Sequence, residues 1–319
     1  MNNKRLLNHI PNKSAIRGFS ILEFLVASLL SMIVLMAVSS TYFTARGLNK
    51  SANARIGIQQ DLRNTANMIV RDARMAGNFG CFNMSNSPAS AVIEDKSSAE
   101  YALKTAGVNK LLPVKEINLS YPGFTQIGPA LLFQYGIDID KEKSTAKTAI
   151  VSSCSRIAKP HTKIKDLDTA KSALNLKITD SDQNGSIAIM KHEMITYAVG
   201  TLGEESKERS LFRFQLSDDG SWGNPQLLIK GITAMDIHYI YAECSDSENA
   251  SASGANAETF YEDKFDTSKA EAYSLASVQI ILNKDKGSIN PSKEQDNKVD
   301  IYNINATIRG GNVCADRSL

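Results

Sequence analysis

The chain has 319 residues, 42% of them hydrophobic and 22% charged, and its formal net charge is +2. This composition is typical of one or two packed globular domains, and it excludes a disordered, collagen-like or strongly basic nucleic-acid-binding chain. The charge is unevenly distributed. Residues 1–18 carry four basic side chains and no acid, so residues 19–319 have a net charge of −2.

A membrane-spanning helix is predicted at residues 19–40. The run from Phe19 to Val38 has 20 residues and one charge, Glu23, and is long enough to cross a bilayer core. The basic leader is expected to stay cytoplasmic while the rest crosses. Because a carboxylate is costly in hydrocarbon, Glu23 either reaches the cytoplasmic interface or pairs with a cationic group of another subunit.

The helix is expected to continue to about residue 76, as the amphipathic part of a segment at residues 41–80. No proline occurs between residues 19 and 87, and Gly77 and Gly80 supply a stop signal. Mostly apolar residues recur here at steps of three and four, which predicts one apolar stripe along the helix. The second half of this stripe is expected to pack on a domain. The stripe follows Leu48, Ala52, Ile56, Gln59, Leu62, Ala66, Ile69, Ala73 and Ala76.

Residues 81–319 are predicted to form a β-rich globular domain. Short alternating runs are typical of strands, and no βαβ alternation is visible, so a mainly antiparallel sheet is expected beside the long helix, in an α+β fold. The predicted strands are Ala130–Ile137, Ala149–Cys154, Ala173–Ile178, Ser186–Lys191, Ser210–Leu216, Pro225–Ile232, Met235–Ala242, Ser277–Asn283 and Tyr302–Arg309.

A polar tract at residues 243–272 contains eight acids and two lysines, a net charge of −6. We expect a long exposed loop that does not pack in the core. Its aromatic side chains are either a docking surface that orders on binding or rings that pin the loop to its own sheet. They are Phe260, Tyr261 and Phe265, with Tyr273 next to the tract.

Four cysteines, Cys81, Cys154, Cys244 and Cys314, permit three disulfide connectivities, and none belongs to a CxxC pair. The sequence alone does not choose among them. The sequence-local pairs, 81–154 and 244–314, are preferred because the second would enclose the acidic tract, and free buried thiols are the alternative.

A calcium loop is considered at residues 180–191. Asp180, Asp182 and Asn184 stand at alternate positions before Gly185, as oxygen ligands do in the first half of such a loop. The twelfth position is Lys191 in place of a bidentate glutamate, and Asn184-Gly185 is also a hairpin signal. A plain turn is therefore favoured and calcium is the alternative; no other cofactor is expected.

Catalytic motifs are not found. His192-Glu193 begins like a zinc-binding helix, but the second ligand is missing because Thr196 stands at its position. There is no nucleophile elbow and no phosphate loop, so the chain is not expected to be an enzyme. Nucleic-acid binding is not expected either, because the one basic stretch lacks interleaved aromatic residues. That stretch, interpreted as a solvated loop, contains Lys159, Lys163, Lys165 and Lys171.

The segment Arg17-Gly18-Phe19-Ser20-Ile21-Leu22-Glu23 resembles the prepilin signal of type IV pilins and of type II secretion pseudopilins. The resemblance implies that residues 1–18 are a leader peptide, removed by a prepilin peptidase that cuts after Gly18. It also implies N-methylation of Phe19, and pairing of Glu23 with a neighbouring subunit's N-terminus during filament assembly.

The likeness extends along the long helix. The segments Gln59–Asn64, Ile69–Gly77 and Gly80–Phe82, with Leu227–Ile232 further on, resemble the PilW family of minor pilins. The match is dense over about residues 15–85 and sparse beyond. It implies the type IV pilin-like fold, a long N-terminal helix, transmembrane in its first half, packed on a mainly antiparallel sheet.

By this resemblance the chain is a minor pilin that joins other minor pilins in a complex priming pilus assembly, with the filament tip as one expected position. The partners implied are other minor pilins, the major pilin, the prepilin peptidase and, as a candidate, a large tip adhesin. The expected location is a single-pass inner-membrane protein with a periplasmic domain, and the pilus after assembly. The alternatives are a minor pseudopilin of a type II secretion system and a tip module that binds DNA or an adhesion receptor.

Overall fold

The computed structural model describes residues 20–93, 102–103, 107–139, 147–158, 166–177, 187–203, 208–242, 259–284 and 300–308. The chain divides into two compact units, Met1–Ile58 and Gln59–Leu319. The first contains the start of one long helix. The second contains the end of that helix and every strand found in the described residues.

Helix α1 runs from Ile21 to Met75, which confirms the predicted long helix and its end near residue 76. The stop works as the glycine signal predicts. Gly77 has a φ of 82°, a conformation that favours glycine, and its N–H donates to the carbonyl of Gln134 at 2.9 Å. This hydrogen bond fixes the end of α1 to the sheet that follows.

A short ribbon and two single turns of 3₁₀ helix lead from α1 into the first sheet. The ribbon pairs β1 (Asn78–Phe79) with β2 (Phe82–Asn83), and the turns are Met84–Asn86 and Ala89–Ala91. The eight strands of the first sheet are β3 (Val92–Ile93), β4 (Val114–Ile117), β5 (Phe124–Asp138), β6 (Ala149–Ser152), β7 (Ile157–Ala158), β8 (Ala188–Leu202), β9 (Ser210–Gln215) and β10 (Gln226–Lys230). Helix α2 (Leu167–Ala173) lies between β7 and β8 in the chain.

Strand β8 organises this sheet. Strand β5 pairs along one edge of it, and β6 and β9 pair in succession along the other. Pairing is antiparallel except between β3 and β7. The sheet is therefore mainly antiparallel, as the absence of βαβ units predicts.

Gly231, with a φ of 75°, separates β10 from the second sheet. This sheet contains four antiparallel strands in the order β12-β11-β13-β14. In chain order its elements are β11 (Ile232–Ala242), β12 (Thr259–Glu262), helix α3 (Thr267–Ala272), β13 (Ser274–Lys284) and β14 (Asp300–Thr307).

One hydrophobic core joins the second half of α1 to both sheets. Ile69, Ala73 and Ala76 of the predicted stripe are fully buried, and Leu62 and Ala66 are half-buried against them. The same core contains side chains of β4, β5, β8, β9 and β10 from the first sheet and of β11, β13 and β14 from the second. The second half of the stripe thus packs on the domain, as expected, and this packing accounts for most of its contribution to folding.

The predicted strand at Ala173–Ile178 is wrong where the structure describes it. Ala173 ends helix α2, which begins at the cap Asp166, whose carboxylate accepts the N–H of Thr169 at 2.8 Å. At the other end Arg156 donates to the carbonyl of Leu174 at 3.1 Å. Capping at both ends supports a seven-residue helix that the local apolar pattern does not reveal.

The expected exposed loop at residues 243–272 is also wrong for residues 259–272. That part forms the edge strand β12 and the helix α3, and residues 243–258 lie outside the described residues. Phe260, Phe265 and Tyr273 pack half-buried against the main core, whereas Tyr261 is 53% exposed. Three of the four rings therefore pin the segment to its own domain.

Candidate functional site

The apolar part of α1 carries its large side chains on the surface. Between Ile21 and Ile56 these side chains are 52% to 82% exposed. Within the described residues α1 is the one helix long and apolar enough to cross a membrane. Its length and composition are consistent with a single-pass membrane anchor.

Hydroxyl side chains in this stretch bond to their own helix. Ser28, Ser31, Thr41 and Thr44 each donate to a backbone carbonyl three or four residues earlier, at 2.8–3.0 Å. Because the helix itself satisfies these polar groups, they add little cost in an apolar environment.

Glu23 is the one charged residue between Ile21 and Ala45. It lies in the first turn of α1, where a negative charge complements the helix dipole. The backbone there is already helical, since the N–H of Phe24 donates to the carbonyl of Ser20 at 3.1 Å. The predicted processing residues, Gly18 and Phe19, lie outside the described residues.

A buried carboxylate joins the second half of α1 to the first sheet. Asp72 is fully buried, and its oxygens accept the hydroxyls of Tyr135 on β5 at 3.1 Å and Tyr197 on β8 at 2.6 Å. Arg213 on β9 lies 3.5 Å from Oδ2, and Arg71 lies 3.4 Å from Oδ1. Three strands and the helix therefore converge on one side chain.

Both tyrosines are donors in this network. Burial, followed by the adjacent Asp72 charge, raises the pKa of the Tyr135 and Tyr197 phenols above the ordinary value of 10.0. Each phenol therefore keeps its proton at neutral pH and donates it to the carboxylate. A buried charge with several such partners is costly to leave unpaired, so the network favours one position of the second half of α1 on the first sheet.

The sequence contained a signal for Asp72 that pattern analysis missed. An acid three residues after Ile69 and four before Ala76 stands on the apolar stripe rather than beside it. Both neighbours are fully buried, so any side chain at this position faces the core. An acid on a buried helix stripe predicts a cationic or hydroxyl partner in the domain.

A second charged group lies on the same strand as Tyr197. Glu193 is 1% exposed, and its Oε2 lies 3.3 Å from the Lys191 ammonium, which also contacts Asp218 at 2.9 Å. Burial raises the pKa of Glu193 above its ordinary value of 4.5, and the Lys191 charge acts against this shift. The native state therefore holds a proton on Glu193 at a pH where the unfolded chain has lost it.

We expect Glu193→Gln to stabilise the domain at neutral pH. A raised pKa means that stability is fully present below pH 4.5 and falls as the pH rises through the raised value. The variant should match the parent in acid and exceed it at pH 7, as measured by urea unfolding across pH. Lys191→Met is the opposite control, because it removes the ammonium that favours the charged form of Glu193. If the free energy of unfolding depends on pH in the same way for the parent and for Glu193→Gln, the interpretation is contradicted.

The structure contains the Cys81–Cys154 disulfide, with the two Cα atoms 4.6 Å apart. This is one of the two sequence-local pairs preferred from the sequence. It ties the turn between β1 and β2 to the end of β6, and both cysteines are exposed. Cys244 and Cys314 lie outside the described residues, so their pairing stays a prediction.

The other candidate sites are distributed as follows. The calcium candidates Asp180, Asp182 and Asn184 lie outside the described residues, and in the part described no His, Cys, Asp or Glu group is arranged to hold a metal. His192 is not on a helix. It is buried in β8, with Nε2 3.1 Å from Gln134 Oε1.

The basic stretch considered for nucleic acid is described in part. Lys159, Lys163 and Lys165 lie outside the described residues. Lys171 lies on α2 and is 2% exposed, so it is not part of a solvated loop and is not available to a ligand.

Comparisons with models of protein families, with curated proteins and with solved structures found no match for this chain.

Proposed function

We propose that this chain is a minor pilin of a type IV pilus, held in the inner membrane by α1 until it enters the filament. The observation that carries the proposal is the first half of α1, an exposed apolar helix with Glu23 in its first turn. The prepilin-like signal at Arg17–Glu23 and the likeness to the PilW family support the same function.

The physical basis of assembly is the transfer of apolar helices from lipid to a helical bundle. An apolar helix of about 20 residues is stable in a bilayer. It is equally stable when neighbouring apolar helices replace the lipid and pack against its side chains. The exposed side chains between Ile21 and Val38 are available for either environment.

Glu23 gives this packing a register. Removal of the leader after Gly18 creates an α-amine on Phe19, and a neighbouring subunit's amine is a cation at a similar membrane depth. An unpaired carboxylate in an apolar bundle is costly, so subunits are favoured to assemble where the two charges meet. In this account the partners are other minor pilins and the major pilin, with a large adhesin as a candidate at the tip. The domain is periplasmic before assembly and lies on the cell surface afterwards.

We expect Glu23→Ala to be inserted and processed normally but to assemble poorly. Removing the charge favours membrane insertion, whereas the pairing with a neighbour's amine is lost. The measurements are the processed fraction in membranes and co-purification of the chain with other pilins. Ser31→Ala is the matched control, because the Ser31 hydroxyl donates within its own helix at 2.8 Å.

Normal piliation and normal co-purification of Glu23→Ala would remove the register role. Deleting the gene separates the two assembly systems. Loss of surface pili supports the pilus assignment, and intact pili with impaired protein secretion would assign the chain to a type II secretion system instead.

A further inference from the structure

The outer face of the second sheet, turned away from the core, carries an aromatic ring that lies flat. Tyr261 on β12 pairs with Ile240 of β11, and its ring stacks on His238 with the centroids 5.1 Å apart and an interplanar angle of 24°. The Tyr261 hydroxyl donates to Oε1 of Gln279 on β13 at 3.1 Å. Contacts with two other strands, β11 and β13, thus hold the ring along the sheet, and 53% of Tyr261 is exposed.

The residue beneath this ring is itself fixed. His238 Nδ1 lies 2.9 Å from Oδ1 of Asp263, just beyond the end of β12, and the His238 side chain is 18% exposed. Tyr261 therefore has a packed support and a hydrogen bond before any ligand arrives. A ring ordered in advance loses little conformational entropy on binding.

Polar side chains continue this face across the sheet. Gln279 stands opposite Asn305 of β14, and in the next rung the half-buried Ile281 of β13 stands between Asp236 of β11 and Asn303 of β14. From β12 to β14 the row spans three strand spacings, about 14 Å. Among the β14 side chains whose burial is described, residues 302–307, those of Asn303, Asn305 and Thr307 are exposed.

These groups suit one chemical class of ligand. A sugar ring has a face of C–H groups that packs on an aromatic ring, and hydroxyls around its rim that bond to amides and carboxylates. Asp236 and Asp263 are exposed acids and place negative charge on this face, which disfavours phosphates and acidic polymers.

We propose that this outer face, defined by Tyr261, His238, Gln279 and Asn305, binds a neutral oligosaccharide. One sugar ring stacks on Tyr261, and the next residues of the oligosaccharide lie along the row toward Asn305. The amides of Gln279 and Asn305 bond to sugar hydroxyls, and Asp263 accepts a further hydroxyl at the rim. The proposal goes beyond pilus assembly and does not depend on it.

The test uses the full chain, purified in a detergent without a sugar headgroup. Binding is measured to immobilised cellohexaose, maltohexaose and chitohexaose, with a single-stranded oligodeoxynucleotide as the anionic comparison. We expect at least one of the three sugars to bind with little dependence on salt. Tyr261→Ala should weaken that binding about tenfold, the size of one aromatic stacking contact.

Two further variants keep the test clear of folding effects. Asn305→Ala lies on a different strand, at an exposed position, and should weaken binding about threefold, the loss of one hydrogen bond. Leu227→Ala, 43% exposed on β10 of the other sheet, should leave binding unchanged. Thermal unfolding of each variant shows whether its fold is intact. If Tyr261→Ala does not fold, the binding of Asn305→Ala tests the proposal in its place.

Three results would overturn the proposal. The first is that none of the three sugars binds. The second is that a sugar binds and neither Tyr261→Ala nor Asn305→Ala weakens that binding. The third is that the oligonucleotide binds and the sugars do not, with an affinity that depends strongly on salt. The last outcome would identify a polyanion surface on this chain.

Discussion

Replacing Asp72 with alanine is expected to lower the free energy of unfolding by about 3–5 kcal/mol, which is the cost of removing one partner of a buried ion pair. Asp72 is fully buried and has hydroxyl partners on two strands and Arg213 on a third. Without it, Arg213 keeps a charge on a side chain that is 10% exposed, and two tyrosine hydroxyls lose their acceptor. Urea unfolding of the full chain in detergent measures the loss.

Asp61→Ala is the matched control, an exposed acid on the same helix, with an expected change within about 0.5 kcal/mol. A double-mutant cycle identifies the partner. Asp72→Ala combined with Arg213→Ala should cost less than the sum of the two single changes. Equal effects of Asp61→Ala and Asp72→Ala would mean that the network does not hold α1 on the sheet.

Removing the Cys81–Cys154 disulfide is expected to cost about 4 kcal/mol, because the bridge closes a long loop in the unfolded chain. The two cysteines are 73 residues apart in sequence. For a domain of this size the loss corresponds to a fall in melting temperature of about 10 °C. Calorimetry of the Cys81→Ser/Cys154→Ser double variant measures it, and leaves Cys244 and Cys314 in place.

Peptide mapping under non-reducing conditions provides the control. The parent should yield a peptide pair linked through Cys81 and Cys154. A link from Cys81 to Cys244 or Cys314 would refute this pairing. A double variant as stable as the parent would show that the bridge contributes nothing to stability.

The long helix was predictable because its signals are local. An apolar run, a stripe at steps of three and four, and Gly77 at the end are sufficient to place α1 within two residues at each end. The strands were harder. Only the start of β8 was predicted, because the remainder of this central strand is buried with His192, Glu193 and Thr196 in it, and polar residues in a buried strand disturb the alternation.

The segment from β12 to α3 was missed for a different reason. Its sequence lies in an acidic tract, and composition predicts an exposed loop there. The structure stabilises it through contacts that are distant in sequence. The backbone N–H of Phe265 lies 3.4 Å from Glu116 on β4, and Tyr239 on β11 donates to the same oxygen at 2.8 Å. No local pattern reports a contact across 149 residues.

Mass analysis of the N-terminus tests the central claim most directly, because it depends on the chemistry of one peptide bond and one amine. The full-length gene is expressed in a host that has a prepilin peptidase, and the membrane protein is analysed intact and by N-terminal sequencing. We predict a chain that begins at Phe19 with one methyl group on its amine, and uncleaved precursor when Gly18 is replaced by a bulky residue. A membrane protein that retains Met1–Gly18 under these conditions would contradict the assignment to the type IV pilins.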